Sequence, residues 1–343
     1  MIKVAINGFG RIGRLALRRM INDDSLEVVA INDLTDSKTL AYLFKYDTAH
    51  GMFDGDVKYD ENSITINNSN IKIYKEVDPE NLPWKELDVD IVLECTGIFK
   101  TREKASKHIK AGAKKVLISA PSDSDVKTIV FGVNEENVSG DDNIFSAASC
   151  TTNAIAPVLK VLNDNYKIKV GYMNTVHAYT NDQSLLDLPN KKGDLRRSRA
   201  AASNIVPTST GAAKAIGVVI PELAGKLNGS AFRVPTVSGS IAELTLVLEA
   251  NPTKEEINEV MKKNSNPSFA YVDEEVVSTD ILGSTAGSIF DATLTEIIEN
   301  EDSRLVKVCA WYDNEMSYTS QLVRVLKYIG ERLWILRKNF FCL

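Results

Sequence analysis

The opening 33 residues constrain the fold more than any other stretch of the chain. Ile2 to Ile6 is rich in β-branched residues and alternates, which predicts a strand. Asn7-Gly8-Phe9-Gly10-Arg11-Ile12-Gly13 follows at once, and Ile12, Leu15, Ala16, Arg19 and Met20 then recur at helical spacing. A glycine triplet carries little weight alone. Between a strand and a helix it has the context that a dinucleotide fingerprint needs. Gly8 serves the tight turn, Gly10 the approach of backbone to a pyrophosphate, and Gly13 the close packing of helix on strand. A second predicted strand, Leu26 to Ile31, ends at Asn32-Asp33. Asp33 stands where a carboxylate can hydrogen-bond the ribose hydroxyls of NAD and repel the extra phosphate of NADP.

At 343 residues the chain has room for about two domains. The net charge of −6 argues against nucleic acid or an anionic membrane as an obligate partner. No apolar run approaches the ~18 residues of a membrane span, and the N-terminus lacks a signal-peptide pattern. Cys95, Cys150, Cys309 and Cys342 show no metal-ligand spacing, so no metal is expected, and a reducing cytoplasm fits. Further strands are predicted at 64–66, 71–74, 91–95 and 116–118, with a helix at 102–111. Thr96, Gly97, Ser119 and Ala120 fall at strand ends, where parallel sheets form their ligand crevice; a plain turn is the alternative.

Ala147-Ala148-Ser149-Cys150-Thr151-Thr152-Asn153 leads into an apolar pattern at helical spacing through Leu162. Cys150 is thereby expected at a helix N-terminus, where unpaired amides and the dipole favour an exposed, low-pKa thiolate, and where the threonines can cap the helix or hold an anion. Such a nucleophile needs a base. Of His50, His108 and His177, the first reads as a loop residue and the second as a solvated residue of a charged helix. His177 ends a strand, 169–178, in a polar cluster, and is the candidate.

Lys191 to Arg199 is the one dense basic run, either a solvated or interface loop or a phosphate site. Pro207-Thr-Ser-Thr-Gly-Ala-Ala213 opens a helix with hydroxyls and a glycine, an anion-site pattern. Arg233, in a strand between Phe232 and Val234, is costly to bury unpaired and should meet a carboxylate or a ligand phosphate. A long antiparallel strand is expected at 241–248, a helix at 255–263, a strand at 305–311 and a last helix from about Met316 to Ile329.

With these segments in order, the chain resembles the phosphorylating glyceraldehyde-3-phosphate dehydrogenases of bacterial, glycolytic type from Ile2 to about Ile329. The resemblance rests on Ile6 to Arg14, Asn32-Asp33, Tyr46 to Gly51, Ser149-Cys-Thr-Thr-Asn153, His177-Ala-Tyr-Thr180, Asp194-Leu-Arg-Arg197, Pro207 to Lys214, Gly225 to Gly229, Arg233-Val-Pro-Thr236 and Trp311 to Glu315. It implies an α/β Rossmann NAD-binding domain, 1–149, completed by a C-terminal helix, 316–343. It also implies an α+β catalytic and tetramerisation domain on a mixed, largely antiparallel sheet, 150–315. The implied partners are glyceraldehyde 3-phosphate, inorganic phosphate and three further copies of the chain, with the loop around Leu188-Pro189 reaching toward a neighbour's cofactor.

Carried over by residue, Cys150 resembles the nucleophile and His177 its base. Thr180, Asp182, Arg197 and Arg233 resemble the site for the substrate's phosphate. Ser149, Thr151, Thr210 and Gly211 resemble the site for the attacking phosphate. Arg11 and Ile12 resemble the pyrophosphate contacts, and Asn314 and Tyr318 the pair that orients nicotinamide. Three departures stand out: Ala154 replaces a second cysteine, Lys192-Gly193 lengthens the basic loop, and a basic, aromatic tail runs from Arg332 to Leu343. The rival readings are an erythrose-4-phosphate dehydrogenase, whose thioester is resolved by water, and a binding or adhesion role added to the fold.

Overall fold

The computed structural model describes residues 1–191 and 193–341, with side chains for those up to 333. Two compact units emerge. One comprises Met1–Phe131, Glu135–Ala148 and Thr319–Leu343; the other comprises Gly132–Asn134 and Ser149–Tyr318.

The first unit is built on strands β1 (Ile2–Asn7), β2 (Leu26–Asn32), β3 (Val57–Tyr59), β4 (Ser63–Ile66), β5 (Ser69–Tyr74), β6 (Ile91–Glu94), β7 (Lys115–Ile118), β8 (Lys127–Thr128) and β9 (Ile144–Ser146). They form one sheet in the order β3-β4-β5-β2-β1-β6-β7-β9-β8. The pairs from β5 to β8 are parallel, and β3-β4-β5 is an antiparallel edge. Helices α1 (Arg11–Met20), α2 (Ser37–Lys45) and α3 (Arg102–Lys110) fall between the strands. In α1, Leu15, Ala16, Leu17 and Met20 are buried, and Arg18 and Arg19 occupy the last turn, where cations complement the helix dipole. Asp36 caps α2 and Thr101 caps α3. Residues of β6 and β7 are buried throughout, as expected of parallel strands covered on both faces.

His108 departs from the sequence reading. It is fully buried rather than solvated. Charge around it in sequence misled, because position 108 shares the inner face of α3 with Ala105, three residues before it. Its ring is satisfied inside by Trp84 and Glu94.

In the second unit come α4 (Cys150–Tyr166), β10 (Ile168–Ala178), β11 (Val206–Ser209), α5 (Ala212–Val219), β12 (Leu227–Val234), β13 (Ser240–Leu248), α6 (Lys254–Lys263), β14 (Phe269–Val272), β15 (Ser288–Glu299) and β16 (Arg304–Tyr312). The sheet order is β11-β12-β10-β13-β16-β15-β14. It is mixed: β10 runs parallel to β12 and β14 to β15, and the other neighbours are antiparallel. The register sets His177 beside Arg233 and Ser240 beside Tyr312. Sequence periodicity gave no sign of β15, which is 12 residues long. Its pairing with β16 shifts between Asp291 and Glu296, and such an irregularity breaks the alternation by which a strand is recognised.

Helix α7 (Met316–Phe341) starts in the second unit and runs on in the first. It continues past the expected end near Ile329, and the Arg332 guanidinium lies 3.8 Å from the centre of the Tyr328 ring. Expectations for the side chains of the tail beyond Leu333, and for Lys192 in the basic loop, lie outside the described residues. Among the described residues no helix is long and apolar enough to cross a membrane.

Candidate active site

Cys150 is the first residue of α4, as expected. The cap is Ser149 rather than either threonine: its hydroxyl accepts from Thr152 N at 3.1 Å. Ala148 takes a left-handed backbone, φ 58°, unusual for a residue with a Cβ, and this turn delivers the chain into the helix.

His177 lies at the end of β10, with Nε2 3.4 Å from Cys150 Sγ. Its Nδ1 sits 2.6 Å from the Ala178 carbonyl, which can only accept. The same Nδ1 also faces the Arg233 guanidinium, which can only donate, and Nε2 is the ring nitrogen that faces the thiol. Arg233, reached across the β10–β12 register, places Nη1 3.1 Å from His177 Nδ1 and donates to Ala178 O and Thr180 Oγ1, each at 3.0 Å. Of the two partners expected, a carboxylate or a ligand phosphate, it meets no carboxylate among the described residues; its protein partners are a carbonyl and a hydroxyl.

Burial pushes the Cys150 thiol up, against the opposing pull of Arg233 and the Thr151 hydroxyl. Burial and Arg233 push His177 down to about 3. Cys150 is half-buried rather than exposed, and burial opposes the low-pKa thiolate expected at the helix start. Desolvation of the charged forms is the physical reason.

Thr180, Asp182, Arg197 and Arg233 form one connected group. Thr180 Oγ1 donates to Asp182 Oδ1 at 2.5 Å, and Arg197 Nη1 pairs with Asp182 Oδ2. Arg197 Nε also donates to Thr208 Oγ1 at 3.0 Å. Arg233 Nε is buried with no hydrogen-bond partner among the described residues, a donor suited to an anion. Thr151 is turned inward, its hydroxyl 3.0 Å from Tyr312 Oη. Thr210 Oγ1 accepts from Ala212 N at 3.2 Å, and Gly211 precedes α5 with open space where a Cβ would stand. No hydrogen bond joins Thr210 or Gly211 to Ser149 or Thr151 among the described residues.

Four residues escaped the sequence reading. Tyr312 is fully buried; its hydroxyl bridges Thr151 and Thr175 Oγ1, the latter at 2.8 Å, and its ring lies edge-on to His177 at 5.8 Å. Ser240 donates to Asn314 Oδ1 at 3.0 Å, and Ser238, whose hydroxyl has one proton, donates to Asp313 Oδ1 at 2.7 Å and lies 3.2 Å from Asn314 Oδ1. Ser240 also accepts from Ala178 N at 3.1 Å, so one hydroxyl ties Asn314 to the strand end that holds His177. Tyr312 and Asp313 alone gave any signal, as neighbours of Asn314 in the Trp311 to Glu315 segment. Tyr318 is buried near the start of α7.

The first unit holds a separate cleft of about 440 Å³ beside the glycine turn, lined in part by Gly8, Gly10, Asp33, Leu34 and Thr96. Gly8 has φ 91°, and a Cβ there would stand 2.7 Å from Thr96 N. A Cβ on Gly13 would stand 2.3 Å from Gly8 O, whereas Gly10, the residue before α1, faces open space. These are the three separate uses of glycine that a pyrophosphate at a helix start requires. Asp33 is held by Phe9 N to Oδ2 at 2.8 Å and by Thr35 N to Oδ1 at 3.0 Å, and each oxygen keeps a lone pair for a ribose hydroxyl. The residues therefore fit a dinucleotide. The Arg11 guanidinium is engaged by Asp47, at 2.5 and 3.1 Å. Gly97 has φ 71° in the turn after β6, and Ser119 follows β7, its amide bonded to Glu94 O at 2.9 Å.

Residues 2–102 match the family model described as glyceraldehyde 3-phosphate dehydrogenase, NAD binding domain, and residues 149–314 match its C-terminal domain. Glyceraldehyde-3-phosphate dehydrogenases from Clostridium pasteurianum and Clostridium acetobutylicum are 59% and 58% identical to this chain over 331 residues, covering 96% of it and 99% of each relative. One from Streptococcus pyogenes is 55% identical over 332 residues, with the same coverage. A glycine turn bonded to Asp33 in one unit and a cysteine–histidine pair in the other agree with both matches, and the chain belongs to the glyceraldehyde-3-phosphate dehydrogenase family.

Proposed function

We propose that the protein oxidises D-glyceraldehyde 3-phosphate with NAD and inorganic phosphate to 1,3-bisphosphoglycerate, by covalent catalysis at Cys150. The observation that carries this reading is the 3.4 Å approach of His177 Nε2 to Cys150 Sγ. The Rossmann-type unit binds NAD and the mixed-sheet unit holds the chemistry.

Sγ attacks the aldehyde carbon, and the thiol proton passes through Nε2 to the aldehyde oxygen, giving a hemithioacetal. NAD, when bound, supplies the two-electron acceptor. His177 Nε2 takes the hydroxyl proton as the carbon is oxidised, which leaves a thioester on Cys150. Amides at the start of α4 are suited to stabilising the oxyanion. Phosphate attacks the thioester carbon. The departing thiolate recovers its proton from His177, the phosphate's own proton goes to solvent, and the acyl phosphate leaves.

Arg233, Thr180 and Arg197 are assigned to the substrate's phosphate, with Asp182 orienting Arg197. Ser149, Thr151, Thr210 and Gly211 are assigned to the attacking phosphate. Asn314 and Tyr318 orient the nicotinamide. Gly8, Gly10, Arg11, Ile12, Gly13, Asp33, Thr96, Gly97 and Ser119 hold the rest of the cofactor. The enzyme is assigned to the cytoplasm, whose reducing conditions suit the free thiols of Cys95, Cys150 and Cys309, and to a homotetramer.

The test is NADH formation at 340 nm with glyceraldehyde 3-phosphate, with and without phosphate, using NAD and then NADP. Sustained turnover that needs phosphate and prefers NAD is expected. Cys150→Ser should bind NAD and give no burst, and His177→Asn should slow turnover by about 10²–10⁴. Turnover indifferent to phosphate would move the assignment to a hydrolytic aldehyde dehydrogenase.

A further inference from the structure

Beneath the dinucleotide cleft lies a chain of buried polar groups that neither the glycine turn nor Asp33 explains. Glu94, at the end of β6, is 1% exposed. Its Oε1 accepts from Thr96 N at 2.8 Å and from the Thr96 hydroxyl. Its Oε2 accepts from Asn7 Nδ2 at 2.6 Å and lies 3.1 Å from His108 Nε2. The indole of Trp84 donates to His108 Nδ1 at 3.0 Å. An indole N–H can only donate, so Nδ1 is the acceptor and Nε2 carries the hydrogen that faces Glu94. Four donors thus converge on one carboxylate, and three buried side chains fix its orientation.

What Glu94 holds is the cleft itself. Asn7 and Thr96 both line it. Asn7 Oδ1 accepts from Asn32 Nδ2 at 2.8 Å, and Asn32 Oδ1 accepts from Glu76 N at 2.8 Å, so the ends of β1, β2 and β6 are cross-linked. The turn after β6 approaches the glycine turn so closely that Gly8 has no room for a Cβ. A carboxylate that pins Thr96 N on one oxygen and Asn7 on the other fixes that approach from below.

We infer that Glu94, oriented by His108 and Trp84, is a positioning residue that sets the separation of the Asn7–Gly8 and Thr96–Gly97 walls and thereby the affinity for NAD. This rests on the reading of the cleft as the NAD site. Glu94 touches no ligand; it acts through Asn7 and Thr96. In Glu94→Gln the amide must turn an N–H toward at least one of the four donors, so one wall is released. In His108→Phe the ring volume between Trp84 and Phe99 is kept while the donor is lost.

The experiment is calorimetric titration of the full-length protein with NAD, alongside thermal melts without NAD and steady-state kinetics. Wild type should bind NAD; if it does not, the reading of the cleft fails. Given binding by wild type, Glu94→Gln is expected to raise the Kd about tenfold or more, a loss of about 1.4 kcal/mol. His108→Phe should raise it by less, and Trp84→Phe by less again. KM for NAD should rise in the same order, with kcat at saturating NAD within about twofold of wild type. A role in stability alone lowers the melting temperature without this graded loss of affinity. Kd values within about twofold of wild type in these variants, whatever their melting temperatures, overturn the inference. Should Glu94→Gln not fold, His108→Phe and Trp84→Phe decide by the same criterion.

Discussion

At the scale of single residues, burial decides what Cys150 and His177 are before substrate arrives. A histidine pushed down to about 3 is neutral in the folded protein wherever the unfolded chain, with its ordinary value near 6.5, already takes up a proton. Between those two values the unfolded state binds more protons, so His177 opposes folding increasingly as pH falls. The cost has a slope of up to about 1.4 kcal/mol per pH unit and is absent above about pH 6.5. Replacing His177 by Gln should remove that component. Denaturant unfolding at pH 7 and pH 4.5 is expected to show a smaller loss of stability on acidification in the variant, and equal losses would mean that His177 is not held neutral. Cys150, His177 and Asp33 could be picked out in the sequence because a local pattern, a helix start or a strand end, surrounds each. Glu94, Ser240 and Tyr312 could not, because their partners are remote: Tyr312 meets Thr151 from 161 positions away, and Ser240 meets Asn314 from 74.

Elements bring those remote partners together. Tyr312, ending β16, sends one hydroxyl to the first turn of α4 through Thr151 and to β10 through Thr175. The strand that carries the base and the helix that carries the nucleophile are thus tied by a third element. Tyr312→Phe keeps the ring against His177 and removes only that tie. It should cost about 1–3 kcal/mol, because Thr151 loses a buried partner, whereas Thr175 keeps the Ile241 carbonyl. Turnover is expected to fall with it, since the first turn of α4 is released. A variant with wild-type stability and rate would show that the bridge does nothing. Most of these elements were legible because their periods are clean: α4 places Ala154, Ile155, Val158, Leu159 and Leu162 in the interior, and β13 alternates along its length. Where the period breaks, as in β15 at its register shift, or where charge surrounds an inward position, as at His108 in α3, sequence pattern misreads the element.

For the whole molecule, the question is what covers the segment from Asp182 to Ile205. Leu185, Leu186, Leu188, Leu195 and Ile205 are each at least 65% exposed. Single exposed leucines are ordinary on a monomer, but five in 21 residues are not. Its described residues are bonded to one another: Ser184 N and Ala201 N bond within the segment, and Asp187 accepts from Ala200 N and Arg199. Its exposed leucines stand beside polar groups several of which are paired within the segment, a surface that a protein partner can cover. The homotetramer proposed above supplies its cover, another copy of the same chain. Sedimentation velocity at micromolar concentration should give a single species of about four times 37.8 kDa. Leu186→Asp with Leu195→Asp should shift it to smaller species, because two carboxylates would have to be buried without partners. Each protomer keeps its own Cys150–His177 pair, so loss of activity in the dissociated variant would have to arise through the neighbour's loop around Leu188-Pro189. A rise in KM for NAD with little change in kcat is the outcome expected if that loop reaches the adjacent cofactor. Unchanged tetramers in the double variant would remove this segment from the interface and return it to the solvated loop that its basic run also allows.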